Sequence, residues 1–427
     1  MSPDQPNLIY LPPLCFAVLA LALGWRAGWR RRLLDDTPTS KTLGVFIGEV
    51  ELEGVCVTTN PIQSLFSEIP CVIYEWEIYE EWQRWETETY TDKEGRRRTR
   101  RVLRKGWTLI AGNHYWQGFY LKDEYGFVWV HPDGAKLSKT TLFDEYTHRG
   151  SELYRKGPRE EINDSTGRRW FREVGLPVGT SLFVRGRATE RPDIVAPQIV
   201  KDERSEMFII STEPEKSISD GYATVYFVWN ILGLFAAIGG TGVMMISPEG
   251  TDSVYPIVGG LIYIVIWMLG WVLMVFNSLV GLRNRVRQAK SLIEVQVKRR
   301  MDLIPQLLTC LQALRRYEAE LQGAIAELRS QSGLLTDIKA ISPTMIAVAE
   351  NYPVLMTDQS FQSLSKNLKE TEDRIALARN YANDITTFYN TRLERIPDCF
   401  VAQLGQMAPE ELFHAEGFEQ KVVPVGF

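Results

Sequence analysis

Three long stretches without a charged side chain constrain this 427-residue chain more than any other feature. Leu8 to Trp25 is apolar apart from Tyr10 and the Pro12-Pro13 pair, Tyr222 to Ile246 runs for about 25 residues, and Val254 to Leu282 is longer still. A helix needs roughly 20 apolar residues to cross a ~30 Å hydrocarbon core. The second and third stretches meet that length easily; the first is short, with its prolines near one end. The flanking charges give a direction, because Lys and Arg collect on the cytoplasmic side. Arg26, Arg30, Arg31 and Arg32 follow the first stretch, and Arg283, Arg285, Arg287 and Lys290 follow the third. The link Ser247 to Ser253 carries Glu249 and Asp252 and no base. All three junctions place the N-terminus outside and residues 26–221 and 283–427 in the cytoplasm. A cleaved signal peptide is the competing reading of the first stretch, since Ala20-Leu21-Ala22 is a small-x-small site. No Lys or Arg precedes Leu8, however, and the arginines that follow resist export.

An overall apolar content of 45% hides this clustering. A net charge of −5 provides no global basic field, so no nucleic-acid partner is expected. Cys15, Cys56, Cys71, Cys310 and Cys399 contain no CxxC pair and are odd in number. They support neither a zinc ribbon nor a closed disulfide framework, and they fit domains kept in a reducing cytoplasm.

Residues 44–212 read as strands, rich in Val, Tyr, Trp and Phe and broken by Gly and Pro. From Cys71 to Trp82, Val72, Tyr74, Trp76 and Ile78 fall on one face, while Glu75, Glu77 and Glu81 lean to the other, which is the two-residue period of a half-buried strand. After a turn at Asp92-Lys93-Glu94-Gly95, Arg96, Arg97, Arg98, Arg100, Arg101, Arg104 and Lys105 crowd into ten residues. An acidic strand followed by a basic one predicts a hairpin paired by charge. The sharper reading is that this basic run meets anionic lipid headgroups. Phe119 to Val130, turning at Tyr125-Gly126, reads as a second hairpin.

The pattern Asn60-Pro61, Pro70-Cys71-Val72-Ile73-Tyr74-Glu75, Phe119-x-Leu121-x-Asp123-x-x-Gly126-x-Val128-x-Val130-x-Pro132-x-Gly134-Ala135, Leu176-x-x-Gly179 and Gly186 resembles the GIDE-type domain over roughly residues 44–215. The resemblance implies a domain set between membrane helices, as in a mitochondrial membrane ubiquitin ligase. In that ligase the activity belongs to a separate RING finger. This chain has no Cys/His cluster to form one, so ligase activity is not implied here.

From Leu282 onward an apolar seam advances in steps of three and four through Val286, Ala289, Ile293, Val297, Met301 and Ile304, continuing to Leu328. This is the 3.5-residue repeat of a packed helix, continuous with the third apolar stretch. Pro305 is expected to bend it. A second seam runs through Phe361, Leu364, Leu368, Thr371, Ile375, Ala378, Ala382, Ile385 and Tyr389, with Thr357 or Asp358 as its cap. A shorter helix around Pro343 ends at Asn351-Tyr352-Pro353, and another begins near Pro409. The second seam serves either bundle packing or self-association. The motifs Leu282-Arg283-Asn284-Arg285-Val286, Lys298-Arg299-Arg300-x-Asp302-Leu303-Ile304-Pro305, Glu350-x-Tyr352-Pro353, Glu370 to Arg379, Asn383-Asp384 and Tyr389-Asn390 resemble the LemA family over residues 277–415. Gln306 and Lys290 depart from its usual Asn and Trp. The resemblance implies an antiparallel helical bundle continuous with a membrane helix, in bacterial membrane proteins of poorly defined function, some of them from gene sets for magnetosome membranes.

Chemistry is sparse. The histidines are His114, His131, His148 and His414, and no HExxH occurs. His114 and His131 with Asp123 or Asp133 form a weak metal candidate. Gly239-Gly240-Thr241-Gly242 lacks the Lys of a phosphate loop, and with Gly259-Gly260 it suits close packing of membrane helices. Glu370, Glu372, Asp373, Arg374 and Arg379 read as surface pairing. No ionisable residue interrupts the second or third stretch, which weighs against an ion pathway.

The sequence therefore predicts a multidomain membrane protein. A β-rich (α+β) N-terminal cytoplasmic domain at 44–215 and an all-α antiparallel helical bundle at 283–415 join membrane helices at 8–25, 222–246 and 254–282, with a tail at 416–427. It is expected to be a bacterial inner-membrane scaffold or sensor without catalytic residues or cofactor. Its expected partners are membrane lipids, a second copy of itself and an unknown protein. The competing classes are an enzyme or enzyme subunit with a pocket around His131, and a channel or transporter component.

Overall fold

A computed structural model describes residues 11–91, 95–191, 196–205, 207–243, 254–313 and 359–413. The expected link 247–253, the short helix around Pro343, the cap at 357–358, the far end of the first seam and His414 lie outside the described residues. The chain divides into two compact units, Val45–Pro214 and a helical unit made of Met1–Gly44 with Glu215–Phe427.

The β unit contains two sheets. In the first, β1 (Gly48–Val57), β5 (Phe119–Lys122), β6 (Phe127–Val130), β11 (Pro197–Val200) and β10 (Ser181–Glu190) pair in that order, and β10 returns to β1. Five strands thus close into a ring, which leaves those strands no free edge. β12 (Ile209–Ser211) pairs with β10 and carries the short β7 (Lys136–Leu137). The apolar side chains of alternate strand positions fill the core: Val50, Leu52, Phe119, Leu121, Val128, Val130, Leu182 and Val184 are all buried. The second hairpin turns as expected. Asp123 Oδ1 accepts the Tyr125 and Gly126 amides at 2.8 and 3.0 Å, and Gly134 takes a φ of +73°, which favours glycine.

The second sheet is ordered β2 (Ile62–Gln63), β3 (Pro70–Thr91), β9 (Ser165–Pro177), β8 (Thr140–His148), with β4 (Arg97–Trp116) also on β3. Cys71 to Tyr74 are buried on both faces of β3, and the predicted alternation shows only farther on, on the face of half-buried Trp76 and buried Ile78. That face continues into a buried carboxylate. Glu80 accepts the Arg169 Nε–H at 3.0 Å, and Arg169 donates further to the carbonyls of Tyr154, Pro158 and Glu160 at 3.2, 2.8 and 3.2 Å. A four-residue helix α2 (Glu152–Arg155) supplies the Tyr154 carbonyl. Beyond Trp82, β3 has lost its β9 neighbour, so Gln83–Thr91 and Arg97–Lys105 form a two-stranded arm. About nine residues at ~3.3 Å each make it ~30 Å long.

In the helical unit, α1 (Leu11–Asp35), α3 (Glu215–Val243) and the 60-residue α4 (Val254–Ala313) are each long and apolar enough to cross a membrane. α4 runs unbroken from the third apolar stretch through Pro305, spanning ~90 Å at 1.5 Å per residue. Small residues let these helices approach. A Cβ added at Gly240, Gly259 or Gly260 would come within 3.2 Å of Leu14, Thr241 or Ile238, whereas Gly239 faces open space and has no such role. α5 (Gln359–Glu394) lies antiparallel along α4. Leu282, Val286, Ala289 and Ile293 pack with Ala378, Ala382, Ile385 and Tyr389. A short α6 (Asp398–Leu404) follows α5. No helix forms near Pro409; residues 407–413 are an extended strap, held in a way the sequence pattern did not predict.

Candidate functional site

Among the described residues of the helical unit, a dense set of charged groups sits where α1 ends. The segment leaving α1 places Asp36 against α4 and α5: Arg392 Nη1 donates to Asp36 Oδ1 at 2.7 Å, Ser278 Oγ bonds Oδ2, and Arg285 Nη1 donates to the Asp36 carbonyl at 2.7 Å and to Thr37 Oγ1. Arg392 also donates through Nε to Asp398 Oδ2 at 2.7 Å. Arg32, one turn back on α1, reaches both Asp398 oxygens at 3.4 Å. Four chain segments therefore meet on three carboxylate and guanidinium groups that water scarcely reaches. Burial pushes the Asp36 carboxyl above its usual 3.8, with Arg392 and the Ser278 hydroxyl opposing it. Removing one partner from such a cluster costs far more than an exposed pair would, because it strands a buried charge.

A second constellation holds the strap. Asn383 exchanges two bonds with the Phe413 backbone, 3.1 Å from its amide nitrogen and 2.8 Å to its oxygen. Asn390 does the same with Glu410, at 2.8 and 2.9 Å. The spacings match: seven helical residues rise ~10.5 Å and three extended residues span ~10 Å. Tyr389 Oη donates to the Ala408 carbonyl at 3.2 Å. Lys290 pairs with Glu410 at 2.8 Å and holds its carboxyl below the usual range.

The basic run lies where the sequence placed it, on β4 opposite the acidic half of β3. Arg100 pairs with Glu88 at 3.0 Å and Arg104 with Glu86 at 2.9 Å. Arg97, Arg98 and Arg101 stand opposite Thr91, Tyr90 and Thr87, Lys105 opposite Gln83, and Arg96 lies just before the strand. The second seam lies inside the chain: Leu368, Ile375, Ile385 and Tyr389 are each at most 3% exposed, and Leu364 is half-buried. Phe361 starts the same helix, its side chain lying outside the described set. These seam positions are thus buried within the chain. The histidine candidates do not converge. His114 is an exposed residue of β4 opposite Glu75, His131 packs edge-on to Trp116 at 5.2 Å, and Asp123 caps its own turn. Asp36, Arg392 and Asp398 went unnoticed in the sequence because charges at helix ends read as solvated or as orientation signals.

With this geometry in view, two family models match separate stretches of the chain. Residues 289–427 match the LemA family, and residues 87–244 match the GIDE model, described as E3 ubiquitin ligase. The chain is a LemA segment fused to a GIDE segment. It is similar to Protein LemA of Metamycoplasma hominis, 26% identical over 156 residues, which cover 34% of this chain and 71% of that relative. No solved structure matches it. The GIDE match begins on the charged arm and runs through α3; the LemA match begins inside α4 and takes in α5, the strap and the Asp398 end of the cluster. Asn383 and Asn390, prominent in the LemA resemblance, thus have a structural task in clamping the strap.

Proposed function

We propose that this protein is a non-enzymatic, multi-pass scaffold or sensor of a bacterial inner membrane, with the GIDE and LemA segments in the cytoplasm. The observation that carries this reading is the apolar coat of the three long helices. Val18 and Leu19 on α1, Phe227, Ile231 and Phe235 on α3, and Ile257, Leu261, Val265, Leu269 and Leu273 on α4 are 52% or more exposed. Water does not tolerate so much contiguous apolar surface. On α4 the coat runs from Ile257 to Phe276, about 20 residues or ~30 Å, the thickness of a hydrocarbon core. The same helix then continues as the amphipathic partner of α5, so a displacement at the bilayer reaches the LemA segment along one rigid element. Recruitment of a second copy or of another protein would act on the polar outer faces of α4 and α5, and the basic arm would rest on anionic lipid.

Orientation is tested with a single cysteine at exposed Lys369. A membrane-impermeant maleimide should label it in inverted vesicles and not in intact spheroplasts; the reverse result would overturn the topology. The scaffold role is tested by the mass of the full-length protein in native nanodiscs. A discrete assembly larger than one chain supports it, and a strict monomer with no crosslinked neighbour removes it.

A further inference from the structure

Beside the Asp36 cluster lies a cavity of about 400 Å³ between α1, α3, α4 and the turn from α5 into α6. Arg31, Arg32, Arg392 and Arg395 line it, against the carboxylates of Asp35 and Asp398. Counting Asp36 behind Arg392, four guanidiniums face three carboxylates, a surplus of one positive charge. The surplus lies with the cations nearer solvent. Arg392 Nη2 lies 2.6 Å from Asp398 Oδ2, so that end of the guanidinium is held by the carboxylate at the inner wall. Arg31 pairs with Asp35 through Nε at 3.4 Å and leaves its side chain 39% exposed. Arg395 is exposed and makes no side-chain ion pair among the described residues. A guanidinium carries five N–H donors in a fork that matches an oxyanion.

The other wall is apolar, built from Tyr226, Phe227, Trp267, Trp271 and Met274. Phe227 is 56% exposed and belongs to the apolar coat of α3, while Met274 lies within one turn of the end of the coat on α4. The cavity therefore opens where apolar helix surface gives way to charge. The adjacent turn and α6 mark the same level. Ile396, Phe400 and Leu404, four residues apart, are 75%, 60% and 80% exposed, and a Cβ added at Gly405 would come 2.9 Å from Phe276, the last residue of the α4 coat. α6 thus presents an apolar edge beside the lowest apolar turn of α4, with Arg395 at its root, the arrangement of a short helix seated in a lipid interface.

We propose that this cavity holds the phosphate of an anionic phospholipid headgroup, with the guanidiniums on its oxygens and the acyl chains leaving along Phe227 and α6. Basic pockets between membrane helices at the cytoplasmic face take such headgroups, and the volume suits a glycerophosphate-sized group. This rests on the reading that α1, α3 and α4 cross the bilayer. It gives the lipid a place on the helical unit, separate from the basic arm of the GIDE segment.

The test uses the full-length protein and the double variant Arg31→Gln/Arg395→Gln, which spares the half-buried Arg32 and the buried Arg392. Native mass spectrometry after stepwise delipidation counts lipids retained from vesicles of phosphatidylglycerol or phosphatidylcholine, with inorganic phosphate as a soluble competitor. The wild type should keep about one phosphatidylglycerol and no phosphatidylcholine, and the variant should retain it roughly tenfold less well while unfolding at the same temperature in neutral lipid. Equal retention of both lipids, or retention unchanged in the variant, overturns the proposal. Displacement by millimolar phosphate overturns the lipid assignment in favour of a soluble phosphate. Carbonate extraction separates the two readings: a chain that washes off the membrane sinks the spanning architecture as well, whereas one that stays but selects no lipid sinks only this site.

Discussion

Each unit buries a guanidinium against a carboxylate, and the two solutions differ. In the β unit, Arg169 and Glu80 form a closed set. Arg169 is 1% exposed and Glu80 fully buried, and the remaining guanidinium donors are met by three backbone carbonyls. Tyr154, whose ring lies 4.0 Å from the guanidinium, covers it. In the helical unit, Arg392 serves Asp36 and Asp398 together, Arg32 reaches Asp398 only at 3.4 Å, and a cavity adjoins them. A closed pair fixes a fold. An open cluster beside a cavity leaves room for a ligand. Buried charge alone does not separate these cases; the open space beside it does.

Substitution should break the comparison most sharply at the closed pair. Arg169→Met leaves Glu80 buried without its cation and is expected to cost the β unit ~3–5 kcal/mol, read as loss of hydrogen-exchange protection across β3 and β9. Arg392→Met should cost less, since Asp36 keeps Ser278, Asp398 keeps Arg32, and the cavity admits water. Equal costs would mean that the helical cluster is as closed as the other.

The next effect is one of pH. Burial raises the Asp36 carboxyl above 3.8, so the folded chain holds that proton more tightly than the unfolded chain does. The stability of the helical unit should therefore fall as pH rises from about 3.8 through the folded value, then level off. Asp36→Asn removes the titration and should flatten the slope in a pH series of thermal unfolding. An unchanged slope would assign the pH dependence to another group.

What the sequence revealed, and what it did not, follows from the same physics. Strand alternation at Trp76 and Ile78 and the seam from Leu368 to Tyr389 were legible, because burial repeats with the period of the element. Glu80 was not, although it extends the same face of β3. Its partner Arg169 lies 89 positions away, and no local pattern announces a buried pair. The strap was misread as a helix starting at Pro409, since its partners are the side chains of Asn383 and Asn390 bonding to its backbone, and backbone acceptors leave no trace in a sequence. The arginines after the first apolar stretch were read only as an orientation signal, and nothing tied Arg31 and Arg32 to a turn more than 360 residues later.

The strap is where a moderate effect should appear. Asn383→Ala or Asn390→Ala removes two bonds to backbone at a site with no large cavity to open. The amides of Phe413 and Glu410 should then exchange roughly five- to tenfold faster, with little change in α5 itself. If α5 loosens equally, the strap is part of the helical core rather than a cover laid upon it.

The smallest effect belongs to the charged arm, and it carries the contrast to its limit. Glu88 and Arg100 face each other across the strands with side chains 41% and 61% exposed. Exposed pairs of this kind contribute only ~0.2–1 kcal/mol and are screened by salt. Glu88→Gln should leave the β unit's unfolding temperature almost unchanged at high salt, unlike Arg169→Met on the same sheet. Its informative effect would be on charge rather than stability. Freed of one carboxylate, the arm becomes more basic, and protection of the β4 amides of the full-length protein in nanodiscs should rise with phosphatidylglycerol content more steeply than in the wild type. If protection is indifferent to anionic lipid in both, the arm's charges pair only with each other, and the arginine cavity of the helical unit is left as the lipid contact to test.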